Sequence, residues 1–494
     1  MLEIAVHLGN MGFVSRNLLV SGNAQASSER IIDLRGIAQP CRSVTFCALP
    51  DEVVLEIFRY HMDRFHWHPE DAWHILVHVC RQWRYVVFTS PRSLNLLLRC
   101  TNTRSVQTML DIWPALPIVI EGRCGMSRPQ VERNVITALK QRDRVRKIDL
   151  SPAPISLLKR IMAIKRPFPA LTDLDLCSTN NEKAPVLPDS FLGGSAPCLR
   201  SLHLDGIPFP ALPKLLLSTT ELVDLALFDI PRFGYISPEA MATSLGSLTR
   251  LRKLSLRFQS PPPHDAENRL LPLLARTLLP ALTSLHFIGD NEYLEDILSR
   301  IDAPFLESID IEPFNELVFD TRQLRHLIRR TEIFEKPLRA VVEFFGSSIV
   351  LGIYSRANNH RVLALKTSRI PLLWRVSSFA QFCSSALPPL PALESLAIRK
   401  YGKYWQGPIE NTEWLELLRS FASVKNLALS DNAAGCLVPS LQGLTVESVT
   451  GVLPVLERLS LKTSARSGPI QEAIAQFVAT RRLSDRPVAV LYDD

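Results

Sequence analysis

No stretch of this sequence approaches the roughly 18–20 apolar residues that a membrane-spanning helix needs, so no membrane is expected as a partner. The nine cysteines are scattered, with no C-x-x-C pair and no even framework. That excludes a disulfide scaffold and points to reduced thiols in a cytoplasmic or nuclear protein. Cys80 and Cys177 lie in apolar stretches and read as small packing residues. There is no dense Lys/Arg run. The 56 basic and 49 acidic residues leave a net charge of +7, a mixed solvated surface that gives no reason to expect nucleic acid.

Signatures of chemistry are missing too. Gly193-Gly194-Ser195 has no Lys-Ser/Thr behind it and is a loop, not a phosphate cradle. No G-x-S-x-G occurs. His61, His66, His68, His74 and His78 invite a metal reading, since His74 and His78 are four apart. A third ligand at a set spacing is absent, as is the glutamate of H-E-x-x-H, so they read as a polar insert. No catalytic residue, metal or cofactor is expected.

Glycine is sparse, 20 residues against 36 prolines. That balance suits many short elements, each stopped abruptly. At 494 residues the chain exceeds one compact core and has room for several domains or one repeat array. A repeat is present. The pattern L-x-x-L-x-L recurs as Val145-Ile148-Leu150, Leu171-Leu174-Leu176, Leu199-Leu202-Leu204, Leu222-Leu225-Leu227, Leu251-Leu254-Leu256, Leu282-Leu285-Phe287 and Leu306-Ile309-Ile311. After a gap it returns as Leu393-Leu396-Ile398, Val424-Leu427-Leu429 and Leu456-Leu459-Leu461.

The last two apolar residues of each copy are two apart, so they share one side of a short strand. Helical patterns lie between copies, at Pro238–Leu248 with Ser237 as cap, at Leu270–Leu279 and at Trp414–Phe421. Strands all in one sense, joined by helices, predict an α/β fold with a parallel sheet and an outer helical layer. This resembles the leucine-rich repeat family over roughly residues 140–465. The Asn or Cys that the family sets three positions after the last leucine is matched by Asn432 alone, which implies an irregular solenoid. Between 315 and 390, alternation at Val341–Phe344, Ile349–Ile353 and Val362–Leu365 predicts further strands of unclear register.

Ahead of the repeats stand Leu49-Pro50-Asp51-Glu52 and Val79-Cys80-Arg81-Gln82-Trp83-Arg84. Proline and acids suit the first turn of a helix. The pattern predicts one helix from Pro50 to Tyr60, a second from near Glu70 carrying Trp73, Leu76 and Val77, and a third through Trp83 that ends before Pro91. About forty residues bury so much apolar surface poorly by themselves, which suggests a docked partner. The two motifs resemble an F-box, and the stretch that follows resembles the linker of F-box proteins from mushroom-forming fungi.

That resemblance implies docking on a Skp-type adaptor, and through it a cullin–RING ubiquitin ligase, with the repeats presenting a substrate protein. The chain would be a non-catalytic substrate-recognition subunit. The alternative is a leucine-rich-repeat interaction scaffold with no ligase role. Carried over by position, Leu49, Pro50, Val54, Ile57, Phe58, Val79, Trp83 and Val87 form the adaptor interface or its support.

The expected layout is a flexible N-terminal extension (1–44), the F-box (45–92), linker helices (93–140), the solenoid (141–470, irregular at 315–390) and a C-terminal cap or tail (471–494). Residues flanking the repeat leucines face the concave side of such a solenoid. The candidate substrate contacts are Asp175, His203, Asp205, Lys253, Arg257, Asp310, Arg399 and Arg458. Other members of the same triplets include Asp173, Cys177, Asp224, Ala226 and Phe228. The banding is acidic first, then basic at Lys253 and Arg257 and at the end, and predicts a partner of complementary charge.

Overall fold

A computed structural model describes residues 49–64, 76–77, 79–89, 95–113, 115–123, 128–178, 184–209, 215–260, 276–314, 321–336, 338–345, 348–367, 376–387, 390–401, 409–462 and 468–493. The predicted extension 1–44, Trp73 and most of the polar insert, with His66, His68, His74 and His78, lie outside them. The chain falls into two units, Met1–Val53 and Val54–Asp494. Of the first, residues 49–53 are described, where Val53 N–H donates to Pro50 O at 3.0 Å.

The larger unit is α/β. Its strands are β1 (Leu96–Arg99), β2 (Ile118–Arg123), β3 (Val145–Ala153), β4 (Asp173–Ser178), β5 (Ser201–Asp205), β6 (Asp224–Ile230), β7 (Lys253–Phe258), β8 (Thr277–Leu278) and β9 (Ser284–Gly289). They continue with β10 (Ile301–Asp302), β11 (Ser308–Pro313), β12 (Leu338–Phe345), β13 (Ser348–Ser355), β14 (Arg361–Thr367), β15 (Leu393–Lys400), β16 (Asn426–Leu429), β17 (Arg458–Lys462) and β18 (Ala489–Asp493). Sixteen of them form one sheet, in the order β1-β2-β3-β4-β5-β6-β7-β9-β11-β14-β13-β12-β15-β16-β17-β18. β8 and β10 pair separately.

The repeat leucines set the register. Ile148, Leu174, Leu202, Leu225, Leu254, Leu285 and Ile309 align strand to strand, and so do Leu150, Leu176, Leu204, Leu227, Leu256, Phe287 and Ile311. All are at most 3% exposed. Burying such a side chain contributes roughly 1.5–3 kcal/mol, so a one-residue slip that turned this row outward would be severely destabilising. The leading leucine closes a turn before each strand, as Leu171 N–H to Phe168 O at 3.1 Å and Leu251 N–H to Leu248 O at 3.1 Å.

Helices return the chain between many strands. Pro238–Leu245 is capped by Ser237, whose hydroxyl accepts from Ala240 N–H at 3.2 Å, as its sequence predicts. Asn291–Arg300 packs beside it and against Arg322–Arg330. Asn411–Arg419 covers the expected Trp414 segment. Asn432 donates to Lys400 O at 3.3 Å, the kind of backbone bond expected of that position. No helix among the described residues is long and apolar enough to cross a membrane.

Several expectations need correction. The stretch 93–140 holds the helices Val106–Ile112 and Pro129–Leu139, but also β1 and β2, which pair in parallel and continue through β3. Its short apolar runs are strands of the same sheet. Residues 471–494 likewise supply β18, parallel to β17. The proposed helix Leu270–Leu279 is masked up to residue 275, and Thr277–Leu278 is strand β8.

The strands do not all run one way. β14, β13 and β12 form a meander in which β13 is antiparallel to both neighbours. Because two reversals restore direction, β14 lies parallel to β11 and β12 parallel to β15. The predicted strands of this region therefore exist and sit inside the main sheet. Gly352 of β13 lies under Tyr354. A Cβ there would meet the ring at 2.6 Å, so the ring's place over the sheet requires glycine.

Candidate functional site

Two surfaces carry the candidate residues. The first is helical. Asp51–Arg64 begins with Asp51 and Glu52 in its first turn, suited to the positive end of the helix dipole. Val54 and Phe58, four apart on one face, are fully buried. Phe58 meets Trp83 edge-on with ring centroids 4.8 Å apart. In Arg81–Thr89, Val86 and Val87 are buried. Trp83 N–H points to Cys80 Sγ at 3.4 Å, and Arg84 Nε donates to Val77 O at 3.0 Å. Cys80 thus sits where a capping acceptor belongs.

Burial divides the predicted adaptor contacts. Val54, Phe58 and Val87 belong to the cluster's own core and can act as support, not as contact. Ile57 and Trp83 are half-buried, Leu49 is half-buried and Pro50 is exposed. Val79 is 52% exposed. Sequence reasoning missed Tyr60, Tyr85 and Phe88, which are 57%, 62% and 43% exposed. Phe88 follows a run of apolar residues and Tyr85 interrupts it. Only the packed helices show which side is left over.

The second surface is the face of the sheet opposite the leucines. Register places Glu121, Asp149, Asp175, His203, Ala226, Ser255, His286 and Asp310 in one row across β2 to β11. Adjacent members are about 4.8 Å apart, the spacing of paired strands. His203 Nδ1 lies 2.9 Å from Asp175 Oδ2, and its N–H donates to the carboxylate. That bond raises the imidazole pKa against the opposing effect of burial. Burial pushes the Asp149 carboxyl up, and neighbouring Asp175 and Glu121 add to this, while Lys147 opposes them. Asp205 is also held up, by burial and by Asp229.

Asp175, His203, Asp205 and Arg257 are brought together on β4 to β7. Arg257 Nε donates to Asp229 Oδ1 at 2.9 Å, and its Nη2 lies 3.7 Å from Asp205. Its guanidinium carbon stands 4.5 Å from the centre of the Phe228 ring. The His203 ring meets the other neighbourhood of Phe228 edge-on at 4.9 Å. Asp229 reaches Arg257 because its φ is +45°, at an irregularity in the β6–β7 register. Arg257 is therefore engaged within the sheet, and the basic band read at β7 is largely neutralised. Lys253 is exposed and pairs in register with Asp224.

Asp310 lies elsewhere in the row, as a hub. It receives Lys366 Nζ at 2.8 Å and Arg361 at 3.3 Å, with His286 Nδ1 at 3.6 Å. Burial would raise its pKa, but the bonds from His286 and Lys366 outweigh that and lower it. Arg399 donates to Glu343 Oε1 at 3.4 Å, and Tyr401 Oη donates to the same oxygen at 3.0 Å. Arg458 is exposed, in register between Asn426 and Ala489. The eight predicted sheet residues thus form two clusters and two separate positions.

No group of three or more His, Cys, Asp or Glu side chains that could hold a metal occurs among the described residues. No family model matches this sequence, and no curated protein matches it. Among solved structures, it is similar to a chain in the crystal structure of the Rad7 and Elc1 complex in yeast. The two are 14% identical, the match covers 90% of this chain and 88% of that one, and the TM-score is 0.26.

Proposed function

We propose that this chain is a substrate-recognition subunit of an SCF-type cullin–RING ubiquitin ligase, working in the cytoplasm or nucleus. The helices Asp51–Arg64 and Arg81–Thr89 act as an F-box that docks a Skp-type adaptor. The strands and helices from Leu96 onward act as an irregular leucine-rich-repeat solenoid that holds a substrate protein. The chain supplies proximity between a substrate's lysines and a charged enzyme, and no bond-making groups of its own.

The observation that carries this reading is apolar surface left over on the helices. With Val54, Phe58 and Val87 already forming a core, Tyr60, Val79, Tyr85 and Phe88 are still exposed. Aromatic anchors of this kind dominate binding energy when a partner covers them. The long sheet with one leucine face and one polar face supports the second half of the proposal, since a polar face of charged side chains selects partners by complementarity.

The test is capture of purified Skp-type adaptor by the full chain and by the Tyr85→Ala/Phe88→Ala double variant. Capture by the parent chain, weakened about thirtyfold or more in the variant, is expected of lost anchors. Equal capture by both would remove the interface. No capture by the parent would remove the ligase reading and leave a repeat scaffold without a ligase role.

A further inference from the structure

The polar face of the sheet has an imbalance that its own side chains do not correct. On β3 and β4, Asp149 and Asp175 stand side by side in register, about 4.8 Å apart by strand spacing. Asp175 gives Oδ2 to His203, while its Oδ1 is enclosed and has no hydrogen-bond partner. Asp149 has Lys147 at 3.5 Å, from its own strand. Arg99 already holds Glu121 at 2.9 Å on the neighbouring strand. Like charges held together on a half-buried sheet repel, and the folded chain carries that cost.

At the β6–β7 edge of the same face, the repulsion is relieved internally. There Arg257 rests on the Phe228 ring and reaches Asp229 and Asp205. The pairing shows the chemistry this face accepts: a planar cation, stacked on one side and forked onto carboxylates. Toward β3 the carboxylates continue and no second arginine accompanies them. The only nearby cations on β3 and β4 register positions are Lys147 and, one strand on, His203.

From this we infer that the polar face of β3–β6 docks an arginine- and lysine-bearing segment of the partner protein, whose cations take the place at Asp149 and Asp175 that Arg257 takes at Asp205 and Asp229. The inference rests on the reading of this face as the substrate surface and names the substrate's chemistry. Charge complementarity selects this occupant. A metal ion has no ligand group among the described residues, and an acidic segment would meet the repulsion already present.

The experiment uses the full chain and a fluorescein-labelled synthetic peptide of alternating Arg and Ser, with binding read by anisotropy at low and high salt. Binding weakened about tenfold by Asp149→Asn is expected, since one favourable charge contact is lost. Asp149→Asn should at the same time raise the melting temperature, because it removes repulsion in the free protein. A control, Glu394→Gln, should leave binding unchanged.

Equal binding by the parent and Asp149→Asn would overturn the inference. So would an equal loss in Glu394→Gln, which would mark diffuse attraction. Preference for a peptide of alternating Glu and Ser would overturn it as well. Concentration-dependent self-association of the parent, abolished by Asp149→Asn, would assign the face to a second copy and overturn the partner. Adaptor capture is measured on the same preparations. Peptide binding without adaptor capture removes the ligase reading alone, and adaptor capture without peptide binding removes this inference alone.

Discussion

The run β2–β6 and the region β11–β15 share one sheet and one row of side chains, yet they treat charge in opposite ways. In the first, Asp149 and Asp175 are neighbours and short polar residues line the face. In the second, Asp310 is surrounded by Lys366, Arg361 and His286. The row then continues through Ala364, Gly352, Val341 and Ala397. Ala364 and Val341 are buried, with Tyr354 packed over Gly352 and Arg339 4–6 Å above Tyr354, at 5.6 Å from the ring centre. The β11–β15 region is internally satisfied; the β2–β6 run is not. An aspartate in one place is cement, and in the other it is an unmet demand.

The largest effect expected from this comparison is at Asp310. Asp310→Ala leaves Lys366, Arg361 and His286 facing each other without a counter-charge. Because the carboxylate is 19% exposed, solvent screens part of that loss, and about 2 kcal/mol of destabilisation is expected, below the range for a fully buried pair. Asp149→Ala should be neutral or stabilising in the same urea titration. If the two cost equally, the contrast between the halves is wrong.

The pH dependence sharpens the contrast. His203 has its folded pKa raised above 6.5 by its bond to Asp175. Its contribution is fully present below that ordinary value and is lost as pH rises through the folded one. Asp149, Asp205 and Asp224 are raised above 3.8, with burial the largest cause, so their repulsion is relieved as pH falls through their folded values. Asp310 is lowered from 3.8. Its contribution is present above that value and lost as pH falls through the folded one. The acidic run thus gains stability on moderate acidification, and the Asp310 hub fails only in stronger acid. Melting curves of the parent and His203→Gln should differ by up to about 1 kcal/mol near pH 6 and converge near pH 9. A constant gap across that range would show that His203 acts through packing alone.

The leucine face of this sheet was legible because a two-residue period names its own side. Leu174 with Leu176, and Leu202 with Leu204, needed no partner to be placed. β1 and β2 were not legible, because Leu96–Arg99 and Ile118–Arg123 are short apolar runs without the leading leucine of the repeat. At β13, alternation revealed the strand but not its direction, since direction depends on connections that periodicity does not encode. On the polar face, strand parity gave Asp175, His203 and Asp205. It could not give the engagement of Arg257, which depends on the left-handed backbone at Asp229. In the helices, Val54, Phe58 and Val87 share the pattern of any apolar face, and a sequence does not say whether such a face meets a partner or its own chain.

The smallest expected effect lies at Arg458, and it divides the basic residues themselves. Arg399 is held by Glu343, and Lys366 by Asp310, so their positive charge is spent inside the fold. Arg458 is exposed, between Asn426 and Ala489 in register, with no carboxylate opposite it on either strand. Arg458→Ala should therefore change stability by less than about 0.5 kcal/mol, the range of surface substitutions away from special features. If so, Arg458 is available to a ligand in a way that Lys366 is not, and binding measurements on the variant report recognition alone. A loss above about 1 kcal/mol would instead place Arg458 with the internally paired cations, and the C-terminal strands would then be as closed to a partner's charge as the Asp310 hub.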